Sequence, residues 1–272
     1  MTAQDPGQGE AAQPATRDRN VHDRSPYRTM YLVDTPYGSA PPPVWERPEP
    51  QPRAAPVALS RAKIAATAIG LADSHGLDGV SVRKIANELG VGPMRLYDYV
   101  TNRSELLDLM VDAVYAEIAV TGPESGWRAT LVAIAHRTRT AALDHEWFAD
   151  LLGSRPHLGP NALAVGEATA AALSSAPGLD GVESLQQALG VLNAFLIGAL
   201  RAEITERQVA RATGTDEAAW QSALGPYLTR MLETGRYPTV ARLVHDGAHL
   251  EPEQTFHRNL TTVLDGITTS RP

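Results

Sequence analysis

The chain has 272 residues, 20 prolines, no cysteine and a formal net charge of −7. That length allows a sizeable core, and the missing cysteine excludes disulfides, thiolate metal sites and cysteine nucleophiles. The acidic balance argues against DNA binding by the chain as a whole and leaves room only for a local basic patch.

Residues 1–58 hold about half of the 20 prolines and little periodic hydrophobicity. The stretch "SAPPPVWERPEPQPRAAP" (39–56) predicts solvated polyproline chain, so 1–58 is expected to be a disordered extension. Its aromatics among prolines could dock a partner groove. Met30 offers an alternative start. No charged segment followed by an apolar run marks a secretory signal, and a cytoplasmic protein is expected. From Leu59 on, apolar residues recur every three to four positions, with no strand alternation and no repeat. The expected fold is all-α.

The first helix spans 58–76, with Ser60 as N-cap, Ile64, Ala68, Leu71 and Ala72 on one face, and Gly76 as stop. Ser81 caps a second helix whose inner face is Val82, Ile85, Ala86 and Leu89. Gly90 ends it, where a tight turn wants positive φ. A third helix begins near Pro93, with Leu96 and Val100 inward and Tyr99 beside them. A small residue, a glycine four later and an aliphatic six after that fit a helix-turn-helix, whose second helix enters the DNA major groove. Met94, Arg95, Tyr97 and Asp98 are left over on its outside. Asn102 then caps a fourth helix, and Glu105 completes a box-like arrangement.

Charge agrees with this layout. From Leu59 to Arg103 the basic residues are Arg61, Lys63, Arg83, Lys84, Arg95 and Arg103, against the acids Asp73, Asp78, Glu88 and Asp98. Glu105, Asp108, Asp112 and Glu117 follow, on the side expected to face away from DNA.

"SVRKIANELGVGPMRLYDYV" and "TNRSELLDLM" resemble the tetracycline-repressor (TetR) family of transcriptional regulators. Downstream, "LLGSRPHLGPNALAV" and "ALGVLNAFLIGALRAE" resemble the tetracycline-repressor branch of its C-terminal domains. The resemblance implies three regions: the extension 1–58, a DNA-binding domain 59–120, and a ligand-binding and dimerisation domain 121–272. It implies a homodimer on a palindromic double-stranded operator, with half-sites roughly 34–36 Å apart. It places Arg83, Lys84, Met94, Arg95, Tyr97, Asp98, Tyr99 and Arg103 at DNA. Arg95 would contact guanine bidentately, while Tyr97 and Arg103 would take phosphates. Asp98 either accepts from cytosine or pairs with Arg95, and Tyr99 is either a contact or core.

The regulatory half reads as helices over 125–145, 161–176, 182–212, 215–237 with a break near Gly225–Pro226, a short helix at "PTVARLVH", and 252–268. "EWFADLL" continues the first of these to a break. The apolar stretch 188–200 is too short to span a bilayer and reads as a buried helix, so no membrane partner is expected. Stripes at 182–200 and 256–267 form either a dimer seam or internal core. The wall of an effector pocket would draw on His136, Trp147, Phe148, Leu151, His157, Asn161, Leu192, Asn193, Phe195 and Leu196. The resemblance sets Leu151 where tetracycline repressors carry the histidine that binds the drug's magnesium. An aliphatic cannot ligate a hard cation, so the expected effector is a mostly apolar small molecule without metal.

No phosphate loop, HExxH or nucleophile elbow is present, so neither enzyme activity nor a cofactor is expected. The alternative is a helical interaction or adaptor module without ligand response. Salt-dependent DNA retention separates the two, since only a regulator predicts a salt slope.

Overall fold

A computed structural model describes residues 42–51, 58–119, 126–153, 156–215, 217–248 and 250–268. Among these residues the chain forms ten α-helices and two short 3-10 turns, with no strand.

Helix α1 (Arg61–His75) starts where the Ser60 hydroxyl accepts from the Lys63 N–H and stops at Gly76, φ 69°. Helix α2 (Val82–Glu88) starts the same way, with Ser81 accepting from the Lys84 N–H. Ile64, Ala68, Ala72, Ile85 and Ala86 interlock as core. Gly90 adopts φ 65°, and the Val91 N–H reaches back to the Ala86 carbonyl at 2.9 Å. This pairing closes a helix end through a left-handed residue, which glycine adopts at no steric cost.

The expected third helix is a 3-10 turn, Pro93–Arg95, running into further turns. Bonds from Leu96 to Pro93 and from Tyr99 to Leu96 keep the three-residue spacing, before Val100 returns to Leu96 with an α-type bond. Pro93 supplies no N–H, and this short segment tightens as helix ends do. Its register is still helical, so Leu96, Tyr99 and Val100 go inward while Met94 and Tyr97 stay out.

Helix α3 (Arg103–Ile118) packs on α1 and continues into the second half. The boundary expected at 120–121 lies outside the described residues. There follow α4 (Trp127–Asp144), α5 (Glu146–Leu151), α6 (Pro160–Ser174), α7 (Val182–Thr213), α8 (Glu217–Glu233), α9 (Pro238–Asp246) and α10 (Pro252–Thr268). The core runs through α3, α4, α5, α6, α7 and α10, centred on Phe148, Leu131, Leu173, Leu200, Leu260 and Leu264.

Three expectations change here. Residues 42–51 are ordered chain packed on the head: Val44 is buried and Arg47 pairs with Glu105. Prolines at 42, 43, 48 and 50 lower the entropy cost of ordering, which composition alone counts only against order. Helix α8 runs unbroken through Pro226. It is exposed along most of its length, so solvent satisfies the carbonyl that the missing N–H leaves.

The third change concerns α7, which is long and apolar enough, by length and composition alone, to cross a membrane; only 28% of its apolar window is buried. Ala188, Leu192, Leu200 and Ile204 turn inward, while Val182, Val191, Ala194, Gly198 and Val209 face out. The 188–200 stretch is therefore buried on one side only.

Candidate nucleic-acid interface and effector half

The head presents one irregular outer face. Arg83 and Lys84 are exposed in the first turn of α2. Met94 is 76% and Tyr97 46% exposed on the Pro93–Arg95 turn and its continuation. Asp98 is exposed and Arg95 half-buried, and neither is without a partner. Behind them Leu96 and Val100 are fully buried. A rigid apolar back with a polar and aromatic front is what groove reading requires.

Two residues of the expected DNA set bond within the head. Tyr99 is 5% exposed; its hydroxyl donates to the Leu59 carbonyl at 3.2 Å and its own carbonyl accepts from Arg61 Nε at 3.3 Å. Of its two readings the structure selects core, because a phenol that stitches the start of α1 to the turn cannot also face a phosphate. Arg103 donates to the carbonyls of Val80 at 2.7 Å and Leu77 at 2.8 Å. Its guanidinium fixes the loop before α2, while the residue itself is exposed.

The Asn102 side chain accepts from the Glu105 N–H at 2.9 Å. Glu105 returns to the N–H of Thr101 at 2.8 Å, one residue earlier than the expected box. Burial alone would raise the Glu105 carboxyl. The bonds from Thr101 and the Arg47 guanidinium outweigh it and hold the carboxyl below its ordinary range.

Asp112 is not a solvated acid. It is 7% exposed and accepts from the N–H groups of Asn161 at 2.9 Å and Ala162 at 3.0 Å, and from the Asn161 side-chain amide at 3.0 Å. Gly159 has no side chain with which to cap α6, and a Cβ there would collide with this carboxylate. Helix α3 therefore caps α6 in trans, which suits the positive end of the α6 dipole. Nearby, burial raises the Asp108 carboxyl, partly offset by His157.

The expected effector residues fall into two groups. In one, Phe148 meets the Tyr115 ring edge-on at 5.5 Å, and His157 lies 6.1 Å from the same ring and bonds to the Leu151 carbonyl. In the other, His136 lies 5.4 Å and Phe195 5.6 Å from the Phe256 ring. His136 also meets His257 at 3.1 Å, and burial, then the His257 charge, holds its ring below the ordinary histidine value. Leu196 is half-buried against the core.

Four members of the set have other commitments, although the Trp147 ring also meets Phe148 at 6.3 Å. Trp147 is buried with its indole N–H on Asp73 of α1 at 2.7 Å, beside His145 on the same carboxylate at 2.8 Å. Asn161 is committed to Asp112, Leu192 is fully packed core, and Asn193 faces solvent. A cavity of about 80 Å³ between α7 and α10, lined by Ser184, Gln187, Ala188, Val191 and Ile267 among others, includes none of the ten. It is smaller than pockets for drug-sized ligands, about 300–1,000 Å³.

Sequence reasoning missed Arg139 and Glu203. Arg139 and Glu203 form a two-pronged pair at 2.8 and 2.6 Å that joins α4 to α7, with the guanidinium 5.7 Å from the Phe256 ring. Their signal was faint: one charge on each inner helix face.

The family model for the tetracyclin repressor-like C-terminal domain matches residues 121–271. The chain belongs to the TetR family. This TetR-family chain is 34% identical over 226 residues to the HTH-type transcriptional repressor DrrR1 of Streptomyces coeruleorubidus, covering 82% of this chain and 83% of that one. It is 38% identical over 205 residues to an HTH-type transcriptional regulator of Saccharopolyspora erythraea, covering 74% and 81%. Among solved structures, the Streptomyces coelicolor TetR family protein ActR in complex with actinorhodin superposes with a TM-score of 0.65 at 29% identity, covering 77% of this chain and 95% of ActR. The TetR chain is accordingly a helix-turn-helix transcriptional regulator with a tetracyclin repressor-like C-terminal domain, and its relatives are transcriptional regulators.

Proposed function

We propose that the protein is a repressor that binds a palindromic operator as a homodimer and is released by a mostly apolar small molecule without a metal. The observation that carries this is the head. Arg83, Lys84, Met94, Arg95, Tyr97 and Asp98 lie along the α2–turn front, over a fully packed back.

The second copy is supported by α7 and α10, which pack on each other. Both leave small side chains outward: Val191, Ala194 and Gly198 on α7, with Asn259, Thr262 and Gly266 on α10. Leu192 and Leu260 are buried in the chain's own core, so charging them would unfold the protein rather than part a dimer. The seam is the outward face.

The effector reading draws on the two aromatic groups around Tyr115 and Phe256 and on the complex of ActR with actinorhodin. Effector binding can act only by favouring one arrangement of the halves. Helix α3 is the connection available, since it carries Glu105 at the head, Asp112 on α6 and Tyr115 at Phe148.

The test begins with selection of bound duplexes from a randomised pool. A palindrome is expected, and Val191→Glu, which changes an exposed residue, should sediment as a monomer and bind that duplex weakly. Release is then titrated with aromatic and polyketide-like compounds, with magnesium and with chelator. Selected sites without symmetry would overturn the dimer, and release that needs magnesium would overturn the metal-free effector.

A further inference from the structure

We infer that residues 42–50 are a working part of the reading head, and that Arg47 is a positioning residue for sequence-specific DNA binding. This inference rests on the operator reading above.

The segment is anchored at several points. A turn closes where the Glu46 N–H meets the Pro43 carbonyl at 3.0 Å, and Val44 is 2% exposed. The Arg47 guanidinium pairs with Glu105 at the start of α3, with both side chains mostly buried. Glu49 accepts from the Arg61 N–H, which opens α1. Arg61 in turn donates to the carbonyls of Arg47 at 2.7 Å and Pro48 at 3.3 Å.

These anchors converge on one stretch, 99–105, which sets how the reading turn leaves the core. Its first residue, Tyr99, gives its carbonyl to Arg61, the residue that also holds the strap. Its last, Glu105, is shared between Arg47 and the Thr101 N–H. The strap thus acts on both ends of the link between the Tyr97 surface and α3. Without Arg47, the Glu105 carboxylate keeps Thr101 but loses its cation, and that end of the link rests on the Thr101 bond and the Asn102 cap alone. Charge-assisted bonds of this kind are the stronger and more directional ones.

Arg47 Nε is buried with no hydrogen-bond partner among the described residues. A strap kept only for stability would be better served by an apolar side chain, since an unmet buried donor is a cost. Small displacements of a reading surface cost contacts that depend on register, whereas attraction to phosphate tolerates them. The strap should therefore matter for discrimination more than for general DNA affinity.

The experiment uses the full chain, Arg47→Ala, Arg47→Lys and a chain lacking 1–41, each measured on the duplex selected by the wild type and on the unselected pool. Arg47→Ala should lose about tenfold on the selected duplex and less than about twofold on the pool, with amide exchange at Thr101 quickened. Arg47→Lys should recover most of that loss, and the chain lacking 1–41 should match the wild type. Equal loss on both duplexes, with a lowered melting temperature, would make the strap a stability element only and overturn the inference. No loss on either would also overturn it. A wild type that enriches no duplex would sink the operator reading itself, a result distinct from both.

Discussion

The head and the effector half are built by different rules. In the head the helix ends are settled within a few residues: a serine caps α1, another caps α2 and a glycine turns, while Tyr99, Arg103 and Arg47 add longer ties. In the effector half the decisive contacts are between helices far apart in sequence, and they are polar. Asp112 of α3 caps α6, Arg139 of α4 holds Glu203 of α7, and Trp147 beside α5's start holds Asp73 of α1. A head whose helix ends are set by local rules is a stable platform for reading DNA. A half held by long-range polar pairs has joints at which a bound molecule can act.

The comparison can be broken most sharply at those joints. Arg139→Met should cost about 2–3 kcal/mol by denaturant unfolding, because it leaves the mostly buried Glu203 carboxylate with only Arg207, at 3.3 Å, as its cation. Adding Glu203→Leu should restore much of that loss. If the single and double variants unfold alike, the pair is not a joint. Asp112→Ala should cost about 3 kcal/mol by stripping the α6 cap. Gly159→Ala should reproduce part of that loss by pushing the carboxylate away, and an unchanged midpoint would refute the cap.

Within the head, Tyr99→Phe should lower stability by about 1 kcal/mol and leave DNA affinity as it was. Lost affinity at unchanged stability would return Tyr99 to the DNA face. The smallest effect expected is acid sensitivity at His136. Its folded ring sits below the ordinary value of 6.5, so the unfolded chain binds the proton first as pH falls. The neutral ring's contribution is complete above that value and is lost as pH drops through it towards the folded value. Wild type should therefore lose more stability than His136→Gln between about pH 7 and 5; parallel curves would contradict this.

What the sequence revealed follows the same division. Ser60, Ser81, Asn102 and Gly90 were legible because caps and turns are decided locally. Tyr99 was not, since its direction depends on the Leu59 carbonyl on the far side of the head. The strap was hidden because proline-rich composition describes the free chain and says nothing of a docking surface. Asp112 looked like one acid in a solvated series. The missed clue was its place among Met110, Val111 and Val114, on a helix buried on two sides, opposite a helix that opens on Gly159 and Pro160 without a side-chain cap. The stripes at 182–200 and 256–267 could not be divided into seam and core by periodicity, because both faces of α7 are apolar.

The central claim is that the outward residues of the reading turn carry sequence discrimination. Its most direct test is the affinity of wild type and Arg95→Ala for the selected duplex, for each single-base variant of it, and for random DNA. The account predicts a loss of about 1–3 kcal/mol per contact on the selected duplex, with preference relaxed at one base pair in each half-site and random binding nearly unchanged. Equal loss on every duplex would contradict it.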